Sequence, residues 1–221
     1  MIKKIFPSML SCDFCELEQE AKKAQRAKAD GLHIDIMDGH FVKNFSMGPQ
    51  IVAAINRSTD LFLDVHLMTY NPYEFVEMFI QAGADQIGFH LEATEDIYEI
   101  ITYIKKCNKK VSLAINPETS IELVFKYLPL IDNILLMTVH PGHGGQKFIP
   151  KVLNKIDVLV DFIKKNKNYI KKDLDIQVDG GINPKSAKQC IEAGVNSLVL
   201  GNYLFKEAAS FEEGIKIIRD L

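Results

Sequence analysis

Three short runs of the chain carry chemistry-bearing side chains at every second position: His33-Ile34-Asp35-Ile36-Met37, Asp64-Val65-His66-Leu67-Met68 and Gln177-Val178-Asp179. In a β-strand successive side chains point to opposite faces. His33, Asp35 and Met37 then share one side, as do Asp64, His66 and Met68, and Gln177 and Asp179. If those sides converge, two imidazoles meet two carboxylates. Such a set can hold a metal and still has carboxylates, Asp35 and Asp179, able to move protons. Mixed nitrogen and oxygen donors suit one divalent ion of zinc, iron(II), manganese or cobalt better than magnesium or calcium. A lone inward histidine is usually a hydrogen-bonded core residue, but buried carboxylates are costly unless paired or metal-bound. Asp64 and Gln177 stand two residues before His66 and Asp179 on the same faces and are expected to orient the ligands. His90 ends another such run. It could add a fifth ligand, though a substrate or structural role is preferred. Met37, Met68 and Met137, all near strand ends, are expected to form an apolar, polarizable wall.

These residues need strands to position them. Short apolar runs bounded by turn residues lie at 5–9, 31–37, 61–67, 86–90, 111–116, 133–139, 175–178 and 197–200. Between them run amphipathic stretches such as 16–29, 72–82, 97–107, 152–165 and 184–193. Asn71-Pro72 and Asn183-Pro184 each read as an N-cap followed by proline at the first helical position. Ala27-Lys28-Ala29-Asp30, Ala82-Gly83-Ala84-Asp85 and Ala193-Gly194-Val195-Asn196 form a weak repeat before the second, fourth and eighth strands. In the latter two, glycine sits where a helix ends in the left-handed conformation. Alternating β and α units imply a parallel sheet covered by helices. Eight units close a single (β/α)8 TIM barrel, here one domain over residues 1–221. An open doubly wound sheet is the runner-up. The barrel is preferred because polar residues recur at the C-terminal ends of many strands, where a barrel builds its active site.

Glycine-rich turns follow the last three strands. They are Pro141-Gly142-His143-Gly144-Gly145-Gln146, Asp179-Gly180-Gly181 and Gly201-Asn202. Glycine lets backbone N–H groups approach an anion closely, and barrels often bind phosphate at this place. Three tight turns without a ligand are the plainer alternative.

Composition narrows the rest. Hydrophobic residues make up 47% and charged residues 25% of the 221, ordinary for a globular protein. A net charge of −3 gives no reason to expect nucleic acid or a membrane surface as partner. No apolar run is long enough to span a bilayer, and the N-terminal segment from Met1 to Pro7 lacks a signal-peptide core and runs straight into a strand. A cytoplasmic protein is expected. Cys12-Asp13-Phe14-Cys15 matches a redox or zinc spacing, but no second pair stands near it, so ordinary thiols are expected. The lysine-rich stretch 164–172 reads as a solvated loop.

Several of these stretches carry a family resemblance that covers essentially the whole chain. They are residues 7–14, 33–42 and 64–68, Asn116-Pro117-Glu118-Thr119, residues 141–148 and Val178-Asp179-Gly180-Gly181. The sequence resembles the ribulose-phosphate 3-epimerases, (β/α)8 barrels of the pentose phosphate pathway. The resemblance implies that His33, Asp35, His66 and Asp179 bind the metal and that Asp35 and Asp179 are the acid–base pair. It implies that Ser8 and His66 contact the sugar. Gly142, His143, Gly144, Gly145, Asp179, Gly180, Gly181, Gly201 and Asn202 would hold substrate, mainly its phosphate. The partner would be a small sugar phosphate, and a homo-oligomer is expected. Cys12 stands where alanine is usual, His143 where phenylalanine is usual, and Asn202 where serine is usual. The expected reaction is proton transfer at C3 by two carboxylates through a metal-stabilised enediolate. The alternatives are an allulose-6-phosphate 3-epimerase, which shares the His-x-Asp-x-Met-Asp-Gly run, and a sugar-phosphate binder without catalysis. Related decarboxylases and aldolases carry an Asp-x-Lys-x-x-Asp run. Here His66 and Thr69 occupy its lysine and second aspartate positions, which argues against them.

Overall fold

Eight strands form one sheet in the computed structural model, which describes residues 3–221. They are β1 (Lys4–Pro7), β2 (Gly31–Met37), β3 (Phe62–Met68), β4 (Gln86–His90), β5 (Lys110–Ile115), β6 (Asn133–Met137), β7 (Asp175–Asp179) and β8 (Ser197–Leu200). Every neighbouring pair is parallel, in the order β1-β8-β7-β6-β5-β4-β3-β2. The two ends of that order, β1 and β2, meet at a parallel bridge between Ser8 and His33. The fold is therefore the (β/α)8 barrel, not the open sheet. Met1 and Ile2, part of the N-terminal segment considered above, lie outside the described residues.

The helices are α1 (Leu17–Arg26), α2 (Pro49–Ser58), α3 (Tyr73–Gln81), α4 (Ile97–Lys106), α5 (Val152–Lys165), α6 (Pro184–Ala193) and α7 (Phe211–Arg219). Among the described residues no helix is long and apolar enough to cross a membrane. After β5 the expected helix is a 3-10 stretch, Ile121–Tyr127. Pro117 and Pro129 flank it and leave little room for a longer helix. Asn183 caps α6 as expected: its side chain accepts from Lys185 and Ser186 N–H, and Ser186 Oγ accepts from Asn183 N–H. Asn71 does not cap α3. It sits at φ 48° and its side chain donates to Glu74, so Pro72 precedes the helix in its place. The lysine-rich loop is largely exposed, with Lys171 paired to Asp132.

The alternating strands sort their side chains. Leu32, Ile34 and Ile36 of β2 join the large apolar layer between barrel and helices, while His33 and Asp35 are buried on the opposite face. Ala114, Leu135, Met137 and Val139 form a smaller apolar cluster, and Met37, Met68 and Val42 another.

The weak repeat has a structural cause. Asp30, Asp85, Asp132 and Asn196 each precede an even-numbered strand. Their side chains accept from the backbone N–H of Ile5, Leu63, Val111 and Ile176 on the preceding strand. Their own N–H groups donate back to the carbonyls of those same four residues. Four reciprocal clamps thus ring the N-terminal end of the barrel. In the first, Lys28 takes the left-handed turn (φ 61°) that Gly83 and Gly194 take in the second and fourth.

Phe89, fully buried on β4, anchors the layer between strands and helices. Phe89→Ala should lower unfolding free energy by about 3–5 kcal/mol. Tyr169→Ala, at a residue 78% exposed, should change it by less than about 0.5 kcal/mol. Urea denaturation of both variants checks this, and equal effects would reject the packing assigned to Phe89.

Candidate active site

Strand register brings the sequence-predicted ligands together. β2 and β3 align His33 with Asp64 and Asp35 with His66, and β6 and β7 align Met137 with Asp179. Among the described residues one group converges closely enough to hold an ion: His33, Asp35, His66 and Asp179, with ligand atoms all within 4.8 Å of one another. His33 Nε2 lies 3.3 Å from His66 Nδ1 and 3.4 Å from Asp35 Oδ1, and His66 Nδ1 lies 3.3 Å from Asp35 Oδ1. Asp179 Oδ2 is 3.9 Å from His33 Nε2. A tetrahedral zinc-type site with arms of about 2.1 Å has edges of ~3.4 Å. Three of these edges match that figure, so the donors fit a divalent transition-metal ion.

A buried polar network sets the orientation of His33. Asp64 accepts from Gln86 Nε2 at 2.8 Å and Gln177 Nε2 at 3.0 Å, and lies 2.8 Å from His33 Nδ1. A carboxylate facing Nδ1 accepts a hydrogen bond from Nδ1–H and so keeps the proton on that nitrogen, which leaves Nε2 with its lone pair for the ion. Asp64 therefore orients His33 on the adjacent strand, not His66 on its own. Gln177 acts on Asp64 across the barrel, not on Asp179. Its Oε1 accepts in turn from Asn133. His66 Nε2 is 2.9 Å from His90 Nε2, so His90 supports a ligand from outside the cluster.

Burial and neighbours separate the carboxylates. Burial opposes charge on Asp35, but His33 and His66 outweigh it and hold Asp35 well below the usual carboxylate range. Asp179 is pushed up to about 7 by burial and by the charge of Asp35. His33 is pulled down by burial, yet Asp35 and Asp64 raise it well above the ordinary histidine value. Burial pulls His66 down to about 4, offset only in part by its bond to Asp35.

Above the cluster opens a cleft of about 340 Å³. Of the residues expected to meet substrate, Ser8, Gly142, His143, Gly144, Gly145, Asp179, Gly180, Gly181, Gly201 and Asn202 line it, as do Asp35 and the three methionines. His66 is fully buried, with Nδ1 toward the cluster. Ser8 Oγ donates to Asp35 Oδ2 at 2.7 Å. Gly181 has φ 65°, and a Cβ there would strike the backbone of Phe148. At Gly145, φ 75°, a Cβ would meet Asn202 Nδ2 at 2.6 Å. The glycines thus let the loops after β6, β7 and β8 close on one another. Asn44 Nδ2 donates to Gly142 O, and Gln146 Nε2 to the carbonyls of His140 and His143, fastening the His143 loop. Cys12 Sγ donates to Met9 O, and burial pushes its thiol up to about 12, so it stays protonated rather than reactive.

Sequence reasoning missed Glu92. It follows His90 in a 3-10 turn, Leu91–Ala93, outside the strand whose alternation marked the other residues. The His90-x-Glu92 spacing was the only signal for it.

Comparison with known proteins agrees with this geometry. The sequence pattern described as the Ribulose-phosphate 3 epimerase family matches residues 4–205. A ribulose-phosphate 3-epimerase of Chlamydia pneumoniae is 49% identical over 214 residues, covering 96% of this chain and 93% of that protein. One of Bacillus subtilis is 43% identical over 205 residues, covering 93% of each. Among solved structures, 3-keto-L-gulonate-6-phosphate decarboxylase from Vibrio cholerae shares the fold. Its TM-score is 0.67 at 13% identity, over all of this chain and 97% of that one.

The protonation pattern makes metal binding pH-dependent. Asp179 is pushed up to about 7, and, against burial, the carboxylates of Asp35 and Asp64 favour the protonated form of His33. An ion competes with a proton at both ligands. Apparent affinity for a divalent cation should therefore rise from about pH 6 to about pH 8, with protons released on binding. Calorimetric titration in two buffers of different ionisation enthalpy measures both. An affinity that is flat or falls over this range would contradict the assignment.

Proposed function

Since the chain belongs to the ribulose-phosphate 3-epimerase family, and so to the isomerases, we propose that it interconverts D-ribulose 5-phosphate and D-xylulose 5-phosphate. The observation that carries this reading is the pair Asp35 and Asp179. These carboxylates reach one cleft from strands three steps apart around the barrel, and their surroundings push them apart, Asp35 toward the ionised form and Asp179 toward the protonated one. C3 of the sugar lies next to the C2 carbonyl, so loss of its proton leaves a planar enediolate. Asp35 takes the proton from one face, and Asp179 returns one to the other. The reverse reaction uses the same groups with their protonation exchanged. A positioned acid or base typically contributes about 10²–10⁴-fold.

Other side chains prepare these two. The bond from Ser8 fixes the Asp35 carboxylate. His33, Asp35, His66 and Asp179 would hold one divalent ion: zinc, iron(II), manganese or cobalt. That ion would supply Lewis-acid stabilisation of the negative charge on the sugar oxygens. Backbone N–H groups of residues 142–145, Gly180, Gly181, Gly201 and Asn202 would receive the phosphate. Binding that far from C3 can be used for positioning. Met37, Met68 and Met137 give the cleft an apolar wall that limits water near C3. We place the reaction in the cytoplasm, in a homo-oligomer.

NMR of the metal-loaded protein with D-ribulose 5-phosphate in D₂O tests the reading. Deuterium should enter at C3 as xylulose 5-phosphate forms. Faster exchange on allulose 6-phosphate would move the activity to the hexulose, and tight binding without exchange would leave only a binder. Asp35→Asn and Asp179→Asn should each lower turnover by at least about 10²-fold. Near-normal turnover in either, with metal retained, would reject the roles assigned.

A further inference from the structure

His66 is held from outside the metal cluster, and the chain of contacts that holds it runs to the protein surface. Its Nδ1 faces His33 and Asp35, while its Nε2 lies 2.9 Å from His90 Nε2. The two rings stack with centroids 5.0 Å apart at 25°. His90 Nδ1 is in turn 3.3 Å from Glu92 Oε2. Two ring nitrogens this close share one proton, with one donating and the other accepting. A metal ligand must offer its lone pair, so His66 carries its proton on Nε2 and donates it to His90. His90 then has its proton on Nδ1 and donates it to Glu92. The chain admits one proton arrangement, and Glu92 terminates it.

Glu92 is itself anchored. Its Oε1 accepts from Asn116 N–H at 2.8 Å and from Thr119 Oγ1. Burial opposes its charge, but the bonds from His90, Thr119 and Asn116 outweigh that and hold its carboxyl at about 2. Lys155 Nζ on α5 donates to the carbonyls of Asn116 and Pro117, at 2.8 and 2.9 Å. The Asn116-Pro117-Glu118-Thr119 run, which the proposed reaction leaves unused, thus forms the seat of this carboxylate. We propose that Glu92 is a positioning residue: acting through His90, it fixes the protonated edge of His66 and holds the Nδ1 lone pair toward the ion, raising metal affinity. This rests on the metal-binding reading given above.

The test uses metal-stripped full-length protein titrated with cobalt(II), followed by visible absorbance. Long-range ¹H–¹⁵N spectra of the zinc-loaded protein report the histidine tautomers. In the wild type, His66 should show Nε2–H and His90 Nδ1–H. Glu92→Gln should weaken cobalt binding by about 10–100-fold and mix the His90 tautomers. Glu118→Gln, at an exposed residue of the loop after β5 whose carboxylate faces His140 and makes no bond to Glu92, should change neither. Glu92→Gln binding cobalt within about twofold of wild type would overturn the proposal. A wild-type His90 protonated on Nε2 would overturn it with no variant needed. If the wild type binds no cobalt, the metal reading fails and this inference with it. Normal wild-type binding with an indifferent Glu92→Gln rejects only the role of Glu92.

Discussion

The contact between His33 Nδ1 and Asp64, 2.8 Å long and sealed from water, underlies the arrangement of the whole site. Four ionisable side chains meet on the inner wall of the barrel, where an unpaired charge is expensive. Asp64 lets one of them, His33, sit there with a defined edge toward the cleft. It can do so only because Gln86 and Gln177 satisfy its remaining lone pairs. Removing one partner from such a buried pair typically costs about 3–5 kcal/mol, because the other charge is left behind. His66 meets the same problem with a different answer, a second imidazole and a carboxylate nearer the surface. The two histidines of one cluster are therefore held by different groups, a carboxylate on β3 for His33 and an imidazole on β4 for His66.

The closed parallel barrel makes such convergence possible. Every strand ends at the same face, so residues far apart in sequence arrive side by side without a dedicated loop. The bridge between Ser8 and His33 joins β1 to β2 at the level of the site. Closing the ring and placing Ser8 on Asp35 are thus consequences of one junction. The glycine turns beyond β6, β7 and β8 have the opposite character. They have little packing of their own and interlock through close backbone approach and a few side-chain amides. The His and Asp cluster is set on strands, while the rest of the cleft is lined by loops.

Much of this was legible in the residues. Alternation marked His33, Asp35, His66 and Asp179 because a strand sorts its side chains with a period of two. The same rule assigned Asp64 and Gln177 to support of the ligands but did not say which ligand each reaches. Register between strands decides that Asp64 faces His33, and register is not written in either strand alone. Glu92 escaped because it sits in a turn, where no periodicity predicts direction. Asn71-Pro72 carried the composition of a helix start, yet the left-handed backbone at Asn71 moved the start by one residue. His143 and Asn202 both line the cleft, as expected from the turns that carry them.

The clamps at Asp30, Asp85, Asp132 and Asn196 join strands in couples: first with second, third with fourth, fifth with sixth, seventh with eighth. The barrel is in this sense four copies of one quarter, each stapled at its base by a reciprocal pair of bonds. An ancestor that was a single such quarter could have been duplicated without inventing a new joint, since the staple is internal to the unit. Because the staples sit at the end remote from the cleft, later change in the upper loops leaves the scaffold's seams untouched. The chain's architecture and its catalytic outfit could therefore diverge on separate clocks.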